Sequence, residues 1–154
     1  MNLNNYIRDI PDFPKKGIIF KDITPLLKNK DALSYIIEEF KKRIINKKID
    51  YIIGIESRGF ILGAALAQSL NCGFVPIRKK GKLPYKVISE TYDLEYGKDT
   101  LEMHIDALEA NNNVVLIDDV LATGGTISAS LKMLETFKVN TVSYTHLRAH
   151  ETVS

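Results

Sequence analysis

Asp118 and Asp119 stand side by side at the end of the apolar run Val114-Val115-Leu116-Ile117, and Ala122-Thr123-Gly124-Gly125-Thr126 follows after two residues. A short apolar run, a glycine-rich turn and then apolar residues at helical spacing read as buried strand, loop and helix. In an open parallel sheet, ligands sit outside the carboxyl ends of the strands. The first turn of a helix there presents main-chain N–H groups that lack helical partners, at the positive end of the dipole. Glycines let that backbone come close, and Thr123 and Thr126 add hydroxyl donors, so the turn suits a monophosphate. Ionised carboxylates repel phosphate, so the two aspartates suit neighbouring hydroxyls, from which they can only accept. A ribose 5-phosphate carries both groups, and the carboxylates could also stabilise positive charge developing on its ring. A plainer reading stays open, in which the aspartates cap a helix and the glycines make a turn. Other nucleotide motifs fit less well. There is no GxGxxG, and although Gly54 and Gly59 have P-loop spacing, Phe60 stands where that loop needs lysine.

The elements that must position these residues follow from periodicity. Leu33, Ile36, Ile37, Phe40 and Ile44 form one helical stripe over 31–46, with Asp31 as its N-cap. Residues 49–55 are a β-branched run of buried-strand length. A helix through Leu70 follows "ESRGF", and 73–77 is another short strand. Over 78–86 the character changes, with five positive charges and no acid. Beyond it, "VISETYDLEYG" has strand-like stretches. Leu101, Met103 and Ile105 then alternate with Glu102 and His104, the period of a half-buried strand. A last helix from Thr126 to Phe137 buries Ile127, Leu131, Leu134 and Phe137. Residues 1–30, punctuated by Pro11, Pro14 and Pro25, read as irregular. Strands alternating with helices predict an α/β fold with a mostly parallel central sheet flanked by helices, interrupted by an antiparallel insertion between 78 and 105.

Composition narrows the class. The chain has 154 residues, 45% of them hydrophobic and 26% charged, with a net charge of +2. That is one domain in the ordinary globular range, with no global charge that would call for nucleic acid. A single cysteine, Cys72, rules out an internal disulfide and a CxxC metal site, and reads as a small buried residue. No apolar run reaches the roughly 18 to 20 residues of a membrane span, and the first residues lack the apolar core of a signal peptide. A cytoplasmic protein is the expectation.

Four ordered stretches carry a family resemblance. "VVLIDDVLATGGT" resembles the phosphoribosyl-diphosphate motif of type I phosphoribosyltransferases. "IPDFPKKGIIFKDITPLL" (10–27), "GIESRGFILGAALA" (54–67) and "IRKKGKLPYKVISETYDLEYG" (77–97) resemble the adenine phosphoribosyltransferases among them. The resemblance spans about residues 5–140 and implies a type I phosphoribosyltransferase-like fold with a flexible antiparallel lid insertion and an N-terminal hood segment. It implies transfer of the 5-phosphoribosyl group from phosphoribosyl diphosphate to adenine, giving AMP and diphosphate, with Mg²⁺, in a homodimer with neither nucleic-acid nor membrane partners. By the same resemblance, Ala122, Thr123, Gly124, Gly125 and Thr126 hold the 5-phosphate, Asp118 and Asp119 the ribose hydroxyls, and Arg58 the diphosphate. Arg58's planar fork suits phosphate oxygens, although an ion pair with Glu56 is its simpler role. Arg78, Lys79 and Lys82 meet the anionic substrate from a lid bent at Gly81 and Pro84, where a solvated basic loop is the alternative. The family's lid arginine reaches the neighbouring subunit's site.

For the base, the resemblance implies that Ile19 and Phe20 sandwich adenine, with Leu121 as another wall and the backbone of Ile19 to Lys21 pairing with its edge. Otherwise Ile19 and Phe20 are core. Backbone readout would reject a 6-oxopurine, whose donor and acceptor pattern is reversed. Glu95 is the family's proton handler at the purine N7, with Tyr96 ordering the loop. Glu90 competes for that role, and either glutamate could be a solvent-facing strand acid. The implied chemistry is displacement at the anomeric carbon through an oxocarbenium-like state. Mg²⁺ would be held by substrate oxygens and water, with no direct protein cage. The alternatives are a phosphoribosyltransferase for another base, and a non-catalytic nucleotide sensor of the same fold.

The last residues break the pattern. "VSYTHLRAHET" (142–152) has no apolar period and resembles a translated sequencing-library adapter. The expectation is therefore a single phosphoribosyltransferase domain over 1–141 lacking its C-terminal part, followed by a non-native tail over 142–154. His146 and His150, at helical i,i+4 spacing, lack a third ligand and are not read as a metal site. A strand absent after 141 would leave an open sheet edge and a chain prone to aggregate.

Overall fold

The computed structural model describes residues 1–44, 46–94, 97–118 and 124–145. A six-stranded sheet runs in the order β5-β6-β4-β3-β7-β8. Its parallel part is β4 (Gly73–Lys79), β3 (Tyr51–Ile55), β7 (Asn113–Ile117) and β8 (Asn140–Thr145). The antiparallel hairpin β5 (Val87–Leu94) and β6 (Gly97–His104) attaches to β4 at Arg78 and Lys79. This is the expected α/β arrangement with its antiparallel insertion.

The central strands are apolar throughout because both faces are covered. On one side Ile52, Val115 and Ile117 meet α2 (Lys30–Lys42) and α3 (Arg58–Leu70) through Ile36, Phe40, Leu62 and Leu66. On the other, Ile53, Ile55, Val114 and Leu116 meet α4 (Gly124–Thr136) through Ala129, Met133 and Leu134, together with Leu101 and Met103 of β6. The strand period of two divides each run between the two cores.

Several elements differ from expectation. The first thirty residues are ordered: a short 3-10 helix (Leu3–Tyr6), an antiparallel pair β1 (Arg8–Pro11) and β2 (Ile19–Asp22), and α1 (Thr24–Lys28). The N-cap of α2 is Asn29, not Asp31. Its side-chain oxygen accepts from the amides of Asp31 and Ala32 at 3.0 and 2.9 Å, and the helix ends at Lys42 rather than near 46. Helix α4 begins at Gly124 and buries Ala129, Ser130, Met133 and Leu134, while Ile127, Leu131 and Phe137 pack only partly. Ser130 can be inward because its hydroxyl donates to the Thr126 carbonyl at 2.8 Å. Ile105 lies past the end of β6 and is 44% exposed, whereas Glu102 is 7% exposed. Glu102 accepts from the Gly81 amide at 2.8 Å and the Ser89 hydroxyl at 3.0 Å, which makes its burial affordable. Cys72 is half-buried, and burial, with Asp50 nearby, pushes its thiol pKa up. Residues 140–145 form a strand beside β7, with a register irregularity at Val114/Val115, so the edge expected to lack a strand has one.

Candidate functional site

Strands β3 and β7 are parallel neighbours, so the residues that follow them emerge on one edge of the sheet. After β3 come Glu56, Ser57 and Arg58, the last opening α3; after β7 comes Asp118, and α4 starts at Gly124. The crossover through α3 leads from β3 to β4 on one side, while β7 lies on the other. That divergence of chain direction opens the crevice in which α/β sheets hold ligands. The two edges are in close contact: a Cβ on Gly59 would stand 2.8 Å from the Ile117 carbonyl oxygen. Asp118, at the floor of this edge, is 1% exposed.

Glu56 gathers the basic residues. Its Oε1 accepts from the Lys79 amide at 2.7 Å and from Arg78 Nε at 3.2 Å, and its Oε2 from Lys82 Nζ at 2.8 Å. Burial raises the Glu56 pKa, but Lys82, the Lys79 amide and Arg78 outweigh it and hold the carboxyl below its ordinary value. Arg78 also lies 5.6 Å from the Phe60 ring centre.

A second cluster joins the β5–β6 hairpin to the start of α4. Tyr92 and Asp99 are partners across the hairpin. Lys79 Nζ forms an ion pair with Asp99 and donates to the Tyr92 hydroxyl at 3.3 Å. Burial lowers the Lys79 pKa, yet its bonds to Asp99 and Tyr92 leave it raised overall. Burial likewise raises Asp99, and Lys79 brings it below its usual range. Thr126 Oγ1 donates to the Tyr92 hydroxyl at 3.3 Å.

On the side of β2, the Arg58 guanidinium lies 4.7 Å from the centre of the Phe20 ring and donates to the Lys21 carbonyl. Phe13 meets Phe20 edge to face at 5.2 Å. Ile10, Phe13, Phe20 and Asp22 line a hollow of about 180 Å³. The Lys21 ammonium is held by Asp9 at 2.6 Å.

The model of the phosphoribosyl transferase domain matches residues 21–151. The adenine phosphoribosyltransferase of Brachyspira hyodysenteriae is 61% identical over 135 residues, covering 88% of this chain and 79% of the relative. The chain belongs to the adenine phosphoribosyltransferase family. Solved structures agree. The adenine phosphoribosyltransferase of Rhodothermus marinus superposes with a TM-score of 0.90 at 50% identity, covering 94% of this chain and 82% of that one. The Saccharomyces cerevisiae enzyme, solved with an imino-altritol bisphosphate and adenine, superposes with a TM-score of 0.87 at 39% identity, covering 94% and 85%.

In this adenine phosphoribosyltransferase family member, the residues singled out in the sequence are only partly brought together. Arg78, Lys82 and the Lys79 amide converge on Glu56, while the Lys79 ammonium pairs with Asp99. Arg58 contacts Phe20 and Lys21, while the Glu56 ion pairs go to Arg78 and Lys82. Ile19 and Phe20 are successive strand residues, whose side chains project to opposite faces. Ile19 is 55% exposed and Phe20 is half-buried, so the two do not form a sandwich with each other. Gly124, Gly125 and Thr126 open α4. Glu90 faces Leu101 across the hairpin. Glu95, Tyr96, Asp119, Leu121, Ala122 and Thr123 lie outside the described residues. Sequence reasoning missed Tyr92, Asp99 and Glu56 as organisers, since their partners are 7 to 34 residues away. The one available signal was a basic segment with no acid of its own, which needs a counter-charge somewhere in the fold.

Proposed function

We infer that the chain transfers the 5-phosphoribosyl group of phosphoribosyl diphosphate to adenine, releasing AMP and diphosphate in purine salvage. The observation that carries this reading is the 61% identity to an adenine phosphoribosyltransferase across the stretch that contains the whole β3–β7 edge. The Saccharomyces cerevisiae relative holds adenine and a bisphosphate in the same fold.

The division of labour proposed for the residues follows the chemistry of each group. Amides and hydroxyls of Ala122 to Thr126 receive the 5-phosphate at the start of α4. Asp118 and Asp119 accept from the ribose hydroxyls. Arg78 and Lys82 take the diphosphate once it draws them from Glu56, and Lys79, whose ammonium pairs with Asp99, adds positive charge beside them. Arg58, whose guanidinium lies against Phe20, also takes the diphosphate, while Phe20, Leu121 and the backbone of Ile19 to Lys21 hold adenine. The purine nitrogen forms its bond to the anomeric carbon as the bond to the diphosphate oxygen breaks. The proton leaving the purine is managed by Glu95. Among the described residues no three His, Cys, Asp or Glu side chains converge on one point. Asp118 is a hard oxygen donor that fits Mg²⁺ held mainly by substrate oxygens and water. When bound, the ion adds positive charge at the leaving diphosphate.

We also propose a homodimer, readable by sedimentation, and a cytoplasmic location. No helix among the described residues is long and apolar enough to cross a membrane. Initial rates with adenine, hypoxanthine, guanine and orotate, each with phosphoribosyl diphosphate and Mg²⁺, test the function. AMP formation should dominate by orders of magnitude, and preference for another base would overturn the assignment of adenine.

A further inference from the structure

Gly124 and Gly125 open the same helix in different surroundings. A Cβ on Gly124 would meet nothing within 4 Å, whereas one on Gly125 would stand 2.9 Å from Tyr92 Cδ2 and 3.7 Å from the Asp93 carbonyl oxygen. The Tyr92 ring has little freedom to give way. Its hydroxyl accepts from Lys79 Nζ and from Thr126 Oγ1 and donates to Asp99 Oδ2, each at 3.3 Å. Those three bonds use the full capacity of a phenol hydroxyl, and the ion pair between Lys79 and Asp99 braces two of the partners. Tyr92 and Asp99 are direct register partners, so the cluster rests on strand pairing and not on a loop.

We propose that Tyr92 is a positioning residue for the phosphate-binding turn: its ring seats on Gly125 and its hydroxyl ties Thr126, so that the β5–β6 hairpin sets the first turn of α4. Gly125 is then glycine to admit Tyr92, and Gly124 is glycine to admit the ligand. The inference rests on the proposed placement of the 5-phosphate at the start of α4.

Initial-rate kinetics on the full chain test it. Gly125→Ala and Tyr92→Ala should each raise KM for phosphoribosyl diphosphate by about tenfold, with kcat and KM for adenine held within about twofold. Combining the two should be no worse than the poorer single variant, because the methyl group has room once the ring is gone. Tyr92→Phe keeps the ring, so Gly125→Ala on that background should retain its full effect. Effects that multiply in the combined variant, or an unchanged KM in Tyr92→Ala, would overturn the proposal. If Gly125→Ala fails to fold, the KM split in Tyr92→Ala decides alone. Gly124→Ala is the separate control on the phosphate placement. It should raise the same KM with or without Tyr92→Ala, and no effect would refute the placement while leaving the Tyr92–Gly125 coupling measurable.

Discussion

Glu56 is 9% exposed at its side chain and accepts from Arg78, the Lys79 amide and Lys82 of the basic segment. Its two cations, Arg78 and Lys82, are proposed to receive the diphosphate, so a carboxylate and a polyanion compete for them. Glu56→Gln keeps an acceptor for the Lys79 amide and withdraws the charge. Diphosphate, measured as a product inhibitor, should then bind roughly three- to tenfold more tightly; weaker inhibition would mean that Glu56 organises the cations for the ligand instead. The pH dependence has a definite sign. Burial pushes the Glu56 pKa up, its cations pull it further down, and the folded value lies below the unfolded one. Its stabilising contribution is therefore fully present above the ordinary carboxylate pKa and is lost as pH falls through the folded value. The difference in urea midpoint between the parent chain and Glu56→Gln should be flat above about pH 5 and shrink on acidification below it. A difference that grows toward acid would contradict this.

The approach of α3 to β7 is a property of elements. A methyl on Gly59 would press on a backbone oxygen, that of Ile117, which cannot swing aside as a side chain can. Gly59→Ala should cost about 1–3 kcal/mol of unfolding free energy, and a denaturation midpoint equal to the parent would show that the helix can retreat. Strands β3 and β7 were legible in the sequence because they are buried on both faces and read as apolar runs, and β4 was legible from its short apolar stretch over 74–77. The β1–β2 pair was not. Each strand has four residues without an apolar period, and the pairing of Ile10 with Phe20 is set by contacts beyond any local window. The buried face of α4 was misread for a similar reason, since an inward serine satisfied by its own helix leaves no hydrophobic mark. At the site, the glycine-rich turn proposed to bind phosphate and the basic segment stood out by composition. The roles of Tyr92 and Glu56 did not, because hydrogen bonds between distant segments leave no periodic trace.

At the scale of the whole molecule, a sheet buried on both faces holds two helix N-termini, those of α3 and α4, on one edge, with the β5–β6 hairpin beside them. Strand β8 pairs with β7 on its far side, where Val142 packs partly against the core. The frame therefore puts the segment after β4, the buried Asp118 and the first turn of α4 at one edge of the sheet. We propose that this edge holds a phosphorylated ribose by its two ends. A crystal structure of the chain with ribose 5-phosphate tests it most directly. The phosphoryl group should lie against the amides of residues 122–126, with the ribose hydroxyls on Asp118 and Asp119. Density for the sugar phosphate elsewhere on the molecule, or none at saturating concentration, would contradict the account.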